Sequence, residues 1–284
     1  MVKCIKTGSM KQQLKYFLKN NIPACYLELL TYRAVSITKT PQKGSVISDL
    51  FVLRIEDGWE TYFECLQFNS IFNPHEKANP QKVIFCFYTK TGQFITERDV
   101  MLPSAIKTTL NVNELVKDFN LVEDSLFAIF HPQKKQWITD HKSFLAERGY
   151  IGYANPNLGN IKGFVHGNLD AIARINSRKD DQLLGNYSFF KKEYHLQHSL
   201  DAGNTYELFL VNPTPSTQRF NIIQKTDQIK KEITFVIPSK GLYKHVLTDG
   251  SKDEKRTVII ESKLYLARPV VFKIMTSSFD VFHG

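Results

Sequence analysis

Two histidines stand close together in the segment EYHLQHSL, and histidine pairs are common metal ligands. His195 and His198 are three residues apart, however, and side chains three apart on a β-strand point to opposite faces. Only a helix or a bulge would bring both imidazoles to one ion. We therefore predict no metal site, and His195 and His198 are candidate ligands only if this segment is not a regular strand.

Another histidine lies near a carboxylate in the segment HGNLD. On a helix, His166 and Asp170 would share one face, where the carboxylate raises the basicity of the imidazole and favours general-base chemistry. Gly167 and Asn168 suit a turn or a helix cap better than a helix interior. A hydrogen-bonded, structural His166 is the preferred interpretation, and the catalytic residues stay unknown, with His166 and Asp170 as the candidates.

The end of the chain repeats part of this segment. VHG at 165–167 resembles VFHG at 281–284, so His166 and His283 should occupy equivalent positions in a repeated unit. Both could contact a ligand, or both could mark the end of a strand where glycine stops the pairing. We prefer the second interpretation.

Aromatic residues gather around GYIGYANPN at 149–157, and aromatic faces stack on sugar rings or bases while amides and cations hold hydroxyls or phosphates. Packing under a long loop is the alternative explanation. The residues that such a surface would use are Trp59, Trp137, Arg148, Tyr150, Tyr153, Asn155 and Lys162. As ligand-binding residues we predict Trp137, Arg148, Tyr150, Tyr153, His166 and His283.

Motifs specific to a cofactor or a catalytic nucleophile are absent from the sequence. GNIKG at 159–163 lacks the spacing of a phosphate-binding loop, and no nucleophile elbow is found. The cysteines Cys4, Cys25, Cys65 and Cys86 contain no CxxC pair, which argues against a disulfide framework or a zinc site. We predict no cofactor and reduced thiols.

The composition describes a folded, basic protein. The 284 residues are 42% hydrophobic and 12% aromatic, and the formal net charge is +9. This length suits two domains, and the charge favours anionic partners. Because the lysine and arginine pairs are spread over predicted loops and strand edges, we assign them mainly to solubility and edge protection. Nucleic-acid binding is therefore not the favoured function.

The N-terminal residues have a different pattern from the rest. Residues 10–20 place Leu14, Phe17 and Leu18 on one helical face, and Pro23 suits the start of a second helix that runs to about Ala34. Charges interrupt the region where a signal peptide would be apolar, and no stretch is long enough to span a membrane. We predict a helical segment over 1–45 and a cytoplasmic location.

From Val46 onwards, short apolar strands alternate with turn residues at the spacing of a β-sandwich. The segment Thr205–Pro238 has a partner in 61–103, which indicates an internal repeat. Five matches occur in the same order: TY with TY, KVIFCFY with RFNIIQK, VMLPS with FVIPS, SLFAIF with TVIIES, and GFVHGN with DVFHG. We predict an all-β protein of two tandem homologous, jelly-roll-like β-sandwich domains, over 46–168 and 169–284.

The last third of the chain also resembles a known family. The residues that carry the resemblance are Asn212 after an apolar strand, the stop Val236-Ile237-Pro238, Lys244-His245-Val246, and the strands around Thr257–Ile260 and Pro269–Phe272. In this order they resemble the bacterial sensory rhodopsin transducer family of small β-sandwich proteins. The resemblance implies a jelly-roll-like sandwich that oligomerises and binds a ligand or partner without catalysis.

These observations predict a non-catalytic binding or assembly protein, with no reaction that the sequence can name. Its ligand would be anionic or carbohydrate-like, or a protein partner, and a homo-oligomer is compatible with this function. The alternative is a biosynthetic enzyme that acts on a sugar or a peptide. Its histidine-containing, metal-binding site would lie at the domain junction, around His166, Asp170 and the His195/His198 segment.

Overall fold

The structure is a computed structural model. It describes residues 33–36, 46–66, 81–103, 105, 107–131, 149–159, 162–165, 172–174, 182–185, 187–196, 200–201, 203–212, 216–226, 230–247, 256–264 and 269–284.

Strands dominate the first half of the chain. They are β1 (Arg33–Ser36), β2 (Val46–Leu53), β3 (Glu60–Leu66), β4 (Gln81–Tyr88), β5 (Phe94–Leu102), β6 (Lys107–Asn111), β7 (Ser125–His131), β8 (Tyr150–Ala154) and β9 (Lys162–Val165). Within the described ranges, helix is limited to four 3-10 turns, at Glu56–Gly58, Asn113–Leu115, Lys117–Phe119 and Pro156–Leu158.

The second half is also built from strands. They are β10 (Ile172–Arg174), β11 (Gln182–Gly185), β12 (Tyr187–His195), β13 (Thr205–Val211), β14 (Gln218–Lys225), β15 (Lys230–Ile237), β16 (Leu242–Leu247), β17 (Thr257–Leu264), β18 (Val270–Ile274) and β19 (Phe279–His283).

These strands form two antiparallel sandwiches with the same topology. The first sandwich pairs the sheets β2-β7-β4-β5 and β6-β3-β8-β9, and the second pairs β12-β17-β14-β15 and β16-β13-β18-β19. Numbered within each sandwich, the strand orders are identical, and eight strands in two sheets is also the composition of a jelly roll. A three-stranded sheet, β1-β11-β10, contacts β2. The all-β class and the tandem homologous sandwiches are confirmed.

All five sequence matches fall on equivalent strands of the two sandwiches: β3 with β13, β4 with β14, β5 with β15, β7 with β17 and β9 with β19. The domain boundary predicted at 168/169 lies outside the described residues.

The TY dipeptides at 61–62 and 205–206 lie on equivalent strands but are out of register. Tyr206 faces the core of the second sandwich, whereas Tyr62 points outwards and its neighbour Phe63 faces the core of the first. Since alternate side chains of a strand point to opposite faces, the two tyrosines are not equivalent. Aligning the apolar cross-strand rows instead matches Phe63-Ile151-Val165 with Leu208-Val271-Phe282. His283 follows this row in the second sandwich, whereas His166 lies outside the described residues, so the equivalence of the two histidines stays a prediction.

One sheet of the second sandwich is apolar on both faces. Along β13, Tyr206, Leu208 and Leu210 enter the core of their own sandwich, while Phe209 and Val211 pack with residues of the first sandwich. This explains the nearly continuous apolar run YELFLV, because a strand that is covered on both faces needs apolar residues at successive positions. The equivalent strand β3 reads ETYFECL and alternates, as expected for a strand with one open face.

The predicted N-terminal helices lie almost wholly outside the described residues. Where that segment is described, Arg33–Ser36 forms strand β1, so the prediction of a helix that continues to Ala34 is wrong. Pairing with Gly185, Leu184 and the residues before them fixes Arg33 and its neighbours in an extended conformation, a tertiary contact that helix periodicity does not report. In the described part of the chain, no helix is long and apolar enough to cross a membrane.

Candidate functional site

Several residues predicted to form a site lie outside the described ranges. These are Trp137, Arg148, His166, Asp170 and His198. His195 is exposed on β12, where its Nε2 atom lies 3.3 Å from Oε2 of Glu193. His283 is half-buried at the end of β19. Because His198 lies outside the described residues, the geometry of the His195/His198 candidate pair is not seen, and the described residues contain no group of three or more potential metal ligands.

Tyr153 and Trp59 belong to the protein interior. The Tyr153 hydroxyl donates a hydrogen bond to the Val52 carbonyl at 2.9 Å, and its ring is fully buried. Burial raises the pKa of Tyr153 well above its ordinary value; the positive charge of Arg54 opposes this shift and the negative charge of Asp124 adds to it, both to a smaller extent. The Trp59 ring packs edge-on against the Phe272 ring, at 5.1 Å between centroids. Neither ring is exposed for ligand stacking.

A buried arginine lies between the sandwiches, against the rings of Trp59 and Phe272. Arg54 is fully buried directly after β2, and its guanidinium carbon lies 4.0 Å from the centre of the Trp59 ring and 4.4 Å from that of Phe272. Its Nη2 atom pairs with Oε2 of Glu207 at 2.7 Å, and Nε lies 3.8 Å from Oδ2 of Asp124. Arg54 thus joins a carboxylate of each sandwich in a site that excludes water.

Lys244 and Glu56 extend this group to a cluster of five charged residues, here called the junction cluster: Arg54, Glu56, Asp124, Glu207 and Lys244. Lys244 of β16 donates a hydrogen bond to Glu56 and lies 3.7 Å from Oδ2 of Asp124. Burial raises the pKa of Glu56, but the hydrogen bond from Lys244 and nearby positive charges outweigh it, so the net shift is downwards. The carboxylates are paired with cations, an arrangement that fixes an interface rather than one that provides a free acid or base.

Backbone contacts tie the sandwiches together beside the junction cluster. The Leu242 amide donates to the Lys90 carbonyl at 2.9 Å. Gly92, in the turn between β4 and β5, has a φ of +84° and lies so close to Ser239 that a Cβ atom would overlap the Ser239 carbonyl oxygen. The described part of the domain junction is therefore closely packed, and it leaves the enzyme alternative dependent on residues outside the described ranges.

An exposed aromatic surface lies on the first sandwich, on the outer side of sheet β6-β3-β8-β9. Tyr62 pairs across the strands with Gly152, and Gly152 pairs with Phe164. Tyr150 lies on the same side, opposite Glu64. We call the surface formed by these residues, with Glu60, Lys107, Thr109, Ala154 and Lys162, the aromatic face.

Phe164 is the most prominent ring of the aromatic face, with 39% of its surface exposed. A Cβ atom at Gly152 would overlap the Phe164 ring, so the ring lies directly against the bare backbone of β8. This contact covers a glycine that would otherwise weaken the strand, and it holds Phe164 in place. The side of the Phe164 ring that faces away from Gly152 is open to solvent.

Tyr62 lies between a cation and a carboxylate. Its hydroxyl donates a hydrogen bond to Glu60, which, with a smaller contribution from burial, raises the pKa of Tyr62 to about 12. The Lys162 ammonium lies 3.6 Å from the centre of the Tyr62 ring, after crossing β8 at Ala154. The Lys162 side chain can cross β8 there because Gly152 and Ala154, the β8 residues on this side, have no large side chain.

The remaining charges of the aromatic face are paired. Lys107 Nζ lies 2.9 Å from Oε1 of Glu64, and the Thr109 hydroxyl donates to the same oxygen at 3.3 Å. With Glu60 and Lys162, the face therefore has two lysines and two glutamates. It is neutral in a chain whose net charge is +9.

The same positions of the second sandwich form an interface instead. The row Tyr62-Gly152-Phe164 corresponds to Glu207-Phe272-Val281, in which Glu207 pairs with Arg54 and Phe272 packs against Trp59. One face of the repeated unit is thus buried against the first sandwich in one copy and exposed in the other.

Sequence reasoning included Tyr150 and Lys162 of the aromatic face but missed Tyr62 and Phe164. The available signal was the period of two in TYFEC and YIGYA. It places Tyr62 opposite to Phe63, and it places Tyr150 with Gly152 on the side away from Tyr153. Once the hydrophobic residues of a strand are assigned to the core, the residues between them must point to the opposite side, which is the solvent side here.

Comparisons with known proteins add no family. Neither the protein-family models nor the curated proteins give a match. Among solved structures, the chain is similar to a calcium-binding mutant of Bacteroides uniformis β-glucuronidase 2, with 8% identity, a TM-score of 0.16, and coverage of 83% of this chain and 25% of that chain. The same enzyme covalently bound to cyclophellitol-6-carboxylate aziridine matches with 9% identity and a TM-score of 0.16, again over 83% of this chain and 25% of that chain.

The chain therefore spans a quarter of the length of the enzyme that it matches. At this TM-score the similarity carries no argument about fold or function. The resemblance of the last third of the chain to the sensory rhodopsin transducer family stays a prediction.

Proposed function

We propose that the protein is a non-catalytic binding protein whose aromatic face recognises a carbohydrate-like ligand. The observation that carries this proposal is the outward-facing row Tyr62-Gly152-Phe164, in which Phe164 is exposed and Tyr62 half-buried, with Tyr150 and Lys162 beside it. Rings on a rigid sheet stack on the apolar faces of sugars at little entropic cost, and flanking carboxylates and amines exchange hydrogen bonds with hydroxyls.

A shallow face of this kind suits binding better than catalysis. Its polar groups lie at the surface, and the cation of Lys107 is already paired with Glu64. Catalytic sites instead bring polar groups together in a concave pocket, where burial shifts their pKa values.

A further sandwich is the less suitable occupant of the aromatic face. Where the second sandwich presents Phe209 and Phe279 to its partner, the first presents Glu64 and Lys162. In the second sandwich, Asn204 stands at the position equivalent to Trp59, the aromatic residue that fills the junction. Charged residues at the centre of an interface disfavour tight protein association, so a permanent head-to-tail contact between copies is disfavoured.

A cytoplasmic location and a homo-oligomer remain part of the proposal. The first is supported by Cys65 and Cys86, which are buried in the first core and form no disulfide within the described part of the chain. The second rests on the family resemblance alone.

The test is binding of the purified protein to an array of neutral and acidic oligosaccharides, followed by titration of each binder. Phe164→Ala should weaken binding by about tenfold, the effect of about 1.4 kcal/mol of lost stacking. Phe94→Ala is the matched control, because Phe94 is 45% exposed on the edge strand β5. Phe164→Tyr should preserve binding and shows that the loss does not come from misfolding.

Equal affinity of Phe164→Ala and the parent protein would exclude the aromatic face as the binding site. Capture of a protein instead of any glycan, lost in the same variant, would reassign the face to a protein partner.

A further inference from the structure

We infer that the ligand of the aromatic face is an uncharged, linear oligosaccharide that lies across the strands and occupies at least two sugar subsites, one at Tyr62 and one at Phe164. This inference rests on the proposed function and specifies the ligand that the same face takes.

The width of the row sets the length of the ligand. Tyr62 lies on β3 and Phe164 on β9, with β8 between them and all three residues of the row in register. Neighbouring strands are about 4.8 Å apart, which places the backbones of Tyr62 and Phe164 roughly 10 Å apart, and the Phe164 ring reaches back over Gly152 towards Tyr62. The two rings therefore form one platform across three strands, which is longer than a single sugar ring and which consecutive rings of a linear chain can cover.

The low centre of the face provides the path between the two subsites. Gly152 has no side chain and Ala154 has only a methyl group, so the Phe164 ring lies flat over β8 and no bulky side chain of β8 stands between it and Tyr62. Lys162 is the exposed side chain that crosses this path, and its ammonium contacts the Tyr62 ring. Such a contact is weak at an exposed site, so a sugar can displace the ammonium to the rim, where it donates to a hydroxyl.

The charges of the face select an uncharged ligand. Tyr62 lies between the Glu60 carboxylate and the Lys162 ammonium, and the other two charges, Lys107 and Glu64, pair with each other. An acidic sugar at Tyr62 would approach Glu60, and a basic one would approach Lys162. A neutral chain avoids both costs, because its hydroxyls both donate and accept.

The experiment measures how affinity depends on ligand length and on salt. Xylo-, cello- and manno-oligosaccharides, from the monosaccharide to the hexasaccharide, are titrated into the full chain by calorimetry, with heparin fragments as the acidic probe. For a binding series, affinity should rise by at least about tenfold from the monosaccharide to the trisaccharide, since a second stacked ring contributes about that factor. It should not change with ionic strength.

Two variants separate the subsites. Phe164→Ala should bind short and long ligands with similar affinity, because only the Tyr62 subsite is left. Gly152→Val should have the same effect, since its side chain displaces Phe164 and blocks the path. If Gly152→Val fails to fold, Phe164→Ala alone decides.

Each outcome has a distinct meaning. Affinity that is independent of length would overturn the two-subsite arrangement while leaving glycan binding in place. Tight, salt-sensitive binding of heparin would overturn the uncharged ligand. Failure of all three neutral series and of heparin to bind would overturn the proposed function, and this inference with it.

Discussion

Replacing Arg54 by methionine tests whether the junction cluster is as water-free as its geometry indicates. Methionine keeps an unbranched apolar side chain against Trp59 and Phe272, but it removes the only guanidinium within reach of Glu207 among the described residues. The Glu207 side chain is 16% exposed, so its charge would remain largely buried, with only the more distant charge of Lys244 to compensate it among the cations of the junction cluster. Removing one partner of a buried ion pair costs about 3–5 kcal/mol.

The assay is urea unfolding followed by tryptophan fluorescence, which reports on Trp59 beside Arg54. Arg54→Met should lower the free energy of unfolding by about 3–5 kcal/mol, whereas Arg219→Met on the exposed side of β14 should change it by less than about 0.5 kcal/mol. Adding Glu207→Gln to Arg54→Met should restore part of the loss, because the poorly compensated charge disappears. The reasoning is refuted if Arg54→Met costs no more than Arg219→Met, or if Glu207→Gln adds to its cost.

Other variants probe the junction and the second sandwich. Gly203 has a φ of +81° and open space around it, so Gly203→Ala should lower the free energy of unfolding by about 1–2 kcal/mol through backbone strain alone. In Gly92→Ala the new methyl group also meets Ser239, so chemical denaturation should show a clearly larger loss. Equal losses would mean that the turn does not touch Ser239. Because the pKa of Glu56 is lowered by folding, its contribution to stability is complete above the ordinary value of 4.5 and is lost as pH falls below it. Glu56→Gln should therefore make the free energy of unfolding less dependent on pH in the acid range. An unchanged dependence would contradict the pairing of Glu56 with Lys244. Burial, and then the charge of Lys231, lower the pKa of His245, which accepts a hydrogen bond from Gln224 at 2.8 Å. Stability should therefore decline as pH falls below 6.5, and NMR titration should place the pKa of this imidazole below that value; a value at or above 6.5 would show that it is solvated.

The repeat was readable from the sequence because turn residues and apolar runs recur in the same order. Asn212 shows what such a turn residue does: its side-chain amide donates to the carbonyl of Ser216, four residues on, and to those of Ile237 and Pro238, so it joins the end of β13 to the end of β15. Register was less accessible. The TY matches at 61–62 and 205–206 are correct for the strand and wrong by one residue, since a dipeptide does not record which side chain faces the core.

The candidate site was predictable only in part. Tyr150 and Lys162 were identified because aromatic and basic residues cluster near GYIGYANPN, but Tyr153 lies in the same cluster and is buried. A period of two separates Tyr150 from Tyr153, yet which side of β8 is covered depends on the sheet packed against it. Arg54 was missed entirely, because nothing in its neighbourhood resembles a functional motif and its partner Glu207 belongs to the other sandwich.

The sequence by itself therefore determined the all-β class, the two homologous units and the strands that correspond between them, because alternation and turn chemistry act over a few residues. Only the tertiary structure decided which of the two equivalent sheet faces is buried at the junction and which is exposed to solvent. The face with Phe272 is buried against Trp59 and Arg54, while the face with Phe164 stays open. That choice depends on contacts between distant segments, whose energy comes from the joint removal of both partners from water and is therefore not a property of either segment alone.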